Sequence, residues 1–242
     1  MLEGLNLEFS VTTRKETNTF KLNNQSYNSY FFDNHKFDRA LIKKLESADY
    51  ILISIPPVNN EDIVIKNFST FLNKCKWITY LSATSVYGNH NGKWVNENSK
   101  LKGNTLFGLG RKIVDRAWTN FRKQSGLDIN ILRVSGIYSK ESNVLKKILK
   151  TNIYVKEKKY FSRIRIEDLA IVIKKMFFSS KRSMTLNVAD DKPSTNIEVA
   201  NYAARLLKLK YLKAKPISQF KNKMIREFYK DSKKVSNKNM KK

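Results

Sequence analysis

The chain has 242 residues, 41% of them hydrophobic, and a formal charge of +26 from 47 basic and 21 acidic side chains. That length accommodates one large domain, or a domain with a small lobe. A single cysteine, Cys75, excludes an intramolecular disulfide and a cysteine-based metal cluster, the two histidines argue against a histidine-rich metal site, and no apolar run approaches the ~20 residues that span a bilayer.

No basic segment followed by an apolar run opens the chain, so no signal peptide is expected and the compartment reads as cytoplasmic. The charge makes nucleic acid a candidate partner, and residues 205–242 carry 14 basic against 2 acidic residues. No helix-turn-helix, zinc finger or RNP-like aromatic strand accompanies it, and Lys, Asn and Ile are abundant throughout. A solvated basic surface is the preferred reading, and nucleic-acid binding is not expected as the main role.

Met1–Gly4 reads as the tail of a helix. Leu7–Thr13 alternates and ends β-branched, the pattern of a strand, and Arg14 follows directly. Asn28–Phe32 is a further strand candidate. Phe37–Ser47 places Phe37, Leu41 and Leu45 at helical spacing. Tyr50–Ile55 is a short continuous apolar run, as in a buried parallel strand, ended by Pro56-Pro57. Ile63–Leu72 reads as a helix burying Ile63, Phe68, Phe71 and Leu72, and Trp77–Leu81 as the next core strand. Asn89–Lys102 is polar, with one Trp. Thr105–Gln124 is a long helix with Leu106, Leu109, Ile113, Ala117 and Phe121 on its apolar face and Gly126 as C-cap. Ile129–Val134 is a core strand and Val144–Leu149 a short helix. Glu167 and Asp168 fall at the first turn of a helix over Leu169–Phe178, where carboxylates are favourable. Thr185–Val188 is a late strand. Thr195 or Asn196 caps a helix that turns Val199, Ala203 and Leu206 inward. Ile217–Tyr229 is a last, weakly periodic helix.

Several stretches resemble one family in order. Ile78–Gly88 reads ITYLSATSVYG, Phe107–Arg111 FGLGR, Leu132–Ser139 LRVSGIYS, Phe161–Ala170 FSRIRIEDLA and Leu186–Leu207 LNVADDKPSTNIEVANYAARLL. Together they resemble the extended short-chain dehydrogenases/reductases of the NAD-dependent epimerase/dehydratase-like group, in its atypical YeeZ-like branch. The resemblance implies an α/β, Rossmann-like fold: a mostly parallel, doubly wound sheet with a small C-terminal substrate lobe. Residues 1–242 would form one NAD(P)-binding domain, with 139–242 supplying most of that lobe. A dinucleotide unit opens with a strand and a glycine-rich turn that lets backbone approach the phosphates. Gly4 is the only glycine before Gly88. If Leu7–Thr13 is the second strand, the first strand and the phosphate loop are missing, a central sheet position is vacant, and both chain ends look cut.

Family members carry a Ser or Thr before Val-Tyr-Gly, then Tyr-x-x-x-Lys. Here Ala83, Phe107 and Arg111 hold those three positions. Phe107 carries no proton, Ala83 donates no hydrogen bond, and Arg111 stays protonated. Ser82, Thr84, Ser85 and Tyr87 are candidate substitutes, and spacing does not choose among them. Thr13, Arg14, Pro56, Pro57 and Arg111 are the candidate cofactor contacts. Arg14 at a strand tip can pair with a 2′-phosphate, which tilts the choice between NAD and NADP toward NADP. Arg163 and Arg165 are candidate substrate clamps, and Arg133 is expected to tie down loops. The resemblance implies an NAD(P)-dependent oxidoreductase or nucleoside-diphosphate-sugar epimerase-like protein with a degenerate site, acting on a small molecule such as a nucleotide sugar. A non-catalytic sensor or scaffold on the same fold is the alternative.

Overall fold

A computed structural model describes residues 8–22, 25–73, 75–150, 153–209 and 212–242. The first elements are β1 (Ser10–Thr13), β2 (Asn18–Leu22), β3 (Gln25–Asp33), β4 (Lys36–Phe37), α1 (Arg39–Glu46), β5 (Tyr50–Ile53) and α2 (Ile63–Phe68). Next come β6 (Trp77–Ala83), β7 (Trp94–Val95), α3 (Leu109–Ser125), β8 (Ile129–Val134), β9 (Gly136–Tyr138), α4 (Val144–Ile148) and β10 (Ile153–Val155). The last are β11 (Tyr160–Phe161), β12 (Arg163–Arg165), α5 (Ile166–Phe178), β13 (Thr185–Val188), β14 (Ser194–Thr195), α6 (Asn196–Leu206), β15 (Lys213–Lys215), α7 (Lys223–Phe228) and β16 (Lys234–Val235).

The main sheet runs β13-β8-β6-β5, every pair parallel. Parallel strands covered on both faces are apolar on both sides, and β8 is buried at all six positions. Side chains alternate between two cores. Ile78 and Tyr80 of β6 and Ile129 and Ile131 of β8 face α1, α2 and α3 through Leu41, Phe68, Val114 and Trp118. Trp77, Leu132 and Val188 face α5 through Leu169 and Met176. Each fully buried side chain of this size contributes roughly 1.5–3 kcal/mol. This is a Rossmann-like α/β fold.

The structure departs from the sequence reading at several places. β1 lies in a second sheet, pairing parallel with β3, which also pairs antiparallel with β2 and β4. β1–β4 and the main sheet are therefore separate four-stranded sheets rather than one, because no described strand pairs with the outer edge of β1 or of β5; the other eight described strands form four two-stranded pairs. Met1–Gly4 and Leu7 lie outside the described residues. The strand at Tyr50 stops at Ile53, before the prolines. The long helix begins at Leu109, and Leu106, Leu109 and Ile113 are exposed, while Val114, Asp115 and Trp118 form the buried stripe. Asp115 is admitted to the interior by an ion pair with Arg133, which turns the helix away from its most apolar register. In α6 the buried residues are Ala200, Ala203 and Ala204, and Leu206 is exposed. Small side chains there let the helix pack closely on Ile148 of α4. Ile217–Tyr229 is a 3₁₀ turn at Ile217–Gln219 followed by α7. The 89–102 segment is strapped down: β7 pairs with β16, and Val95 is buried.

Candidate functional site

Because the strands of the main sheet are parallel, their C-terminal ends share one edge, where ligands of open α/β sheets bind. That edge carries Pro56-Pro57 after β5, the 3₁₀ turn Thr84–Tyr87 after β6, and Ser135 after β8. The FGLGR stretch is drawn against it. The Ser85 hydroxyl donates to the Phe107 carbonyl at 3.0 Å. Gly108 fits so closely that a Cβ there would stand 2.9 Å from the Ser85 carbonyl oxygen. A Cβ on Gly110 would stand 2.9 Å from Asn60 Oδ1 and 3.5 Å from Pro57 Cβ. The room left by these glycines is filled by the protein's own loops.

Arg111, one turn beyond Phe107, reaches inward. Its Nη1 donates to the Tyr80 hydroxyl at 3.3 Å and the Leu81 carbonyl at 3.2 Å. Burial pushes the Tyr80 phenol up to about 12, against the lowering pull of Arg111. Ala83 ends β6, half-buried and opposite Val134.

Three of the four candidate hydroxyls are already engaged. Ser82 donates to Asp115 Oδ2 at 2.6 Å, Ser85 to Phe107, and Tyr87 to Asn187 Oδ1 at 2.6 Å. Thr84 has no hydroxyl partner among the described residues. Burial raises the Tyr87 pKa, so it is a poor proton donor or base near neutrality. Arg133 Nε and Nη2 hold Asp115 at 3.1 and 2.8 Å, while Nη1 reaches Tyr87 at 3.1 Å and the Glu97 carbonyl at 3.0 Å. Burial opposes the Arg133 charge, but Asp115 outweighs it and the guanidinium pKa is raised. This network ties β6, α3, β8 and the 89–102 segment together, so Arg133 does secure a loop.

The mouth of the cleft is aromatic. Phe107 packs edge-on to Phe228 of α7, with centroids 6.3 Å apart, and Phe228 stacks on Phe161 at 4.6 Å. The Glu227 carboxylate pairs with Lys230, which holds its pKa low, with a smaller lowering from the nearby Leu106 backbone. Arg163 Nη1 donates to the Phe161 carbonyl at 3.1 Å and the Ser194 carbonyl at 3.2 Å, and Nη2 to Asn196, which in turn donates to Tyr229. Arg165 is exposed and pairs with Glu167 and Asp168 at 3.2 Å each. Those carboxylates sit in the first turn of α5 as expected, held by an arginine. Phe161, Phe228 and Tyr229 were not foreseen here, since aromatic residues in short segments carry no periodic signal, and Tyr80 was read only as part of the core strand Trp77–Leu81.

Thr13 ends β1 in the other sheet and Arg14 follows it, and no hydrogen bond or ion pair joins either to Arg111. Arg14 is exposed, and Thr13 Oγ1 accepts the Lys15 N–H at 3.1 Å. Beside them Thr13, Lys15, Glu16 and Asn18 line a cavity of about 330 Å³. A dinucleotide's diphosphate needs a cradle of closely approaching backbone N–H groups, and the described residues ahead of Gly88 include no glycine to form one. No group of three or more His, Cys, Asp or Glu among the described residues could hold a metal ion, and no described helix is long and apolar enough to cross a membrane.

No protein-family model and no curated protein matches the chain. Solved structures do. A functionally unknown conserved protein from Silicibacter pomeroyi is similar over 89% of this chain and 76% of its own, with 26% identity and a TM-score of 0.78. UDP-N-acetylglucosamine 4-epimerase from Bacillus cereus is similar over 96% of this chain and 82% of its own, with 15% identity and a TM-score of 0.69. dTDP-glucose 4,6-dehydratase from Bacillus anthracis, solved in complex with NAD, is similar over 88% of this chain and 73% of its own, with 15% identity and a TM-score of 0.67. The architecture built above is thus the one on which such nucleotide-sugar enzymes are also built.

Proposed function

We propose that this chain is an NAD(P)-dependent oxidoreductase or nucleoside-diphosphate-sugar epimerase-like protein with a degenerate active site, whose small-molecule ligand is a nucleotide sugar. The observation that carries the reading is Phe107. It stands where the resembling family places its proton-handling tyrosine, with its carbonyl held by Ser85 and its ring packed on Phe228. The frame of the site is present and its acid–base group is a hydrocarbon. The 2′-phosphate preference is assigned to Arg14, which favours NADP over NAD, with Thr13, Pro56, Pro57 and Arg111 as the other cofactor contacts. Arg163, held by three protein oxygens, and Arg165, on the surface, are the proposed substrate-side cations.

The second reading, a sensor or scaffold without turnover, is favoured by the engagement of Ser82, Ser85 and Tyr87. Titration with NADPH and NADH, read from the fluorescence of the three tryptophans, tests cofactor binding. A saturable response to NADPH, weakened in Arg14→Ala, is expected, and no response to either nucleotide would refute it. Turnover of NADPH with a panel of nucleotide sugars separates the two readings.

A further inference from the structure

Close to the aromatic mouth lies a second polar feature that the site described above does not use. Asp231 follows α7, and Lys233 stands just before β16. They are 7% and 9% exposed, so both charges are buried. Lys233 Nζ stands 3.6 Å from Asp231 Oδ2, beyond hydrogen-bond range for an ammonium and a carboxylate. Asp231 Oδ1 has no partner, and it is the one charged group among the described buried side-chain atoms left unsatisfied. Glu227 and Lys159 are the other charged groups that act on Asp231.

The surroundings are fixed rather than loose. The Ser232 carbonyl accepts the N–H groups of His90 and Gly92, the Ser232 hydroxyl accepts the Tyr160 N–H, and Lys233 N–H donates to the Tyr160 carbonyl. Val235 packs with Val86 and Tyr87 of the turn after β6. On the other side, Phe228 of α7 packs against Phe107. The pair therefore stands between the turn that follows Ala83 and the helix that meets Phe107.

Asp231 Oδ1, buried and without a partner, is short of a hydrogen bond, a costly arrangement unless a third group completes it. Burial raises the Asp231 pKa and lowers that of Lys233, consistent with both being under-solvated. The pair is neutral overall, so an ionic ligand would bring an uncompensated charge into a buried place. A group offering a donor and an acceptor on neighbouring atoms completes it without doing so.

We propose that Asp231 and Lys233 form a binding subsite for the neutral, polyhydroxylated ring of the ligand. One sugar hydroxyl donates to Asp231 Oδ1, and an adjacent oxygen accepts from Lys233 Nζ. This rests on the nucleotide-sugar reading above and assigns the sugar end of that ligand to the C-terminal segment.

The test compares UDP-glucose with UDP by calorimetric titration of the wild-type chain, Asp231→Asn and the double variant Asp231→Asn/Lys233→Met. The double variant removes both charges and so avoids leaving one unpaired if the single variant folds poorly. The wild type should bind UDP-glucose at least about tenfold more tightly than UDP, the worth of one or two hydrogen bonds to charged groups. Both variants should lose that increment while holding UDP within about twofold. An increment that survives in the variants, or a wild type that binds UDP and UDP-glucose equally, overturns the subsite. If the wild type binds neither, the nucleotide-sugar reading fails. The subsite is then decided by the Lys233 side-chain ¹⁵N signal in the presence of free glucose and galactose: a saturable shift upholds it, and none overturns it.

Discussion

Asp115→Ala is the sharpest probe of how the site is held. The Asp115 carboxylate takes three donors, Ser82 Oγ, Arg133 Nε and Arg133 Nη2, between 2.6 and 3.1 Å. Arg133 is 6% exposed, so water cannot replace the lost partner. Removing one member of such a buried pair costs roughly 3–5 kcal/mol, a large share of the 5–15 kcal/mol that is typical of a whole protein. With a urea slope of about 2–3 kcal/mol per molar, the unfolding midpoint should fall by roughly 1–2.5 M. Replacing the pair together, Asp115→Leu with Arg133→Met, removes the buried charge and should recover most of the loss. Recovery will be incomplete, because Arg133 Nη1 also serves Tyr87 and the Glu97 carbonyl. Urea melts followed by tryptophan fluorescence measure both variants. A midpoint shift below about 0.3 M for Asp115→Ala, or a double variant no better than the single one, would refute the reasoning.

Two further outcomes are expected. The Tyr80 phenol, pushed up to about 12 by burial, stays protonated when the unfolded chain has ionised near 10. Its contribution is full below pH 10 and is lost as pH rises toward 12, a change on the order of 2–3 kcal/mol. Tyr80→Phe should flatten that part of the alkaline stability curve, and an unchanged curve would rule the assignment out. Gly108→Ala and Gly110→Ala should part company in thermal melts. At Gly108 the added methyl meets the Ser85 carbonyl at 2.9 Å and Gly103 Cα at 3.1 Å, both backbone, for a cost of about 1–3 kcal/mol. At Gly110 it meets the movable end of Asn60, while the helix gains up to about 1 kcal/mol from alanine. Equal melting temperatures for the two variants would contradict the packing described here.

The four parallel strands lie where the sequence places them: β5 as an unbroken apolar run, β6 and β8 as largely apolar runs that admit Thr79, Asn130 and Arg133, and β13 through its resemblance to a late strand of the family. Thr195 was legible as a cap because a hydroxyl precedes Glu198 at the spacing of a capping box, which the structure contains. The buried face of α3 was not legible. Its apolar residues fall on two stripes, and hydrophobicity alone selects Leu106, Leu109 and Ile113. What decides is Asp115, a residue that counts against burial until Arg133, on another strand, is known to meet it. The same limit hid the aromatic mouth: Phe161, Phe228 and Tyr229 are far from Phe107 in sequence, and only the return of α7 brings them to it. The hairpin of β2 and β3 was missed because Asn18–Leu22 is too short and polar to alternate clearly.

The LSATSVYG stretch beside Phe107 has a physical role that does not require turnover. Ser82 serves the Asp115–Arg133 pair, Val86 and Tyr87 fill a core with Val95 and Val235, and Ser85 pins the chain ahead of α3. Each of these contacts holds a strand end, a loop or a helix start in place. None passes through the side chains at 83 and 107, so the frame is indifferent to whether those positions carry a hydroxyl, a phenol or a hydrocarbon. Phe107 is 38% exposed, and a phenolic oxygen added at the end of its ring would break none of the hydrogen bonds that position the turn. Likeness in this motif therefore argues for architecture, and the chemistry has to be argued from the groups that remain free to contact a ligand.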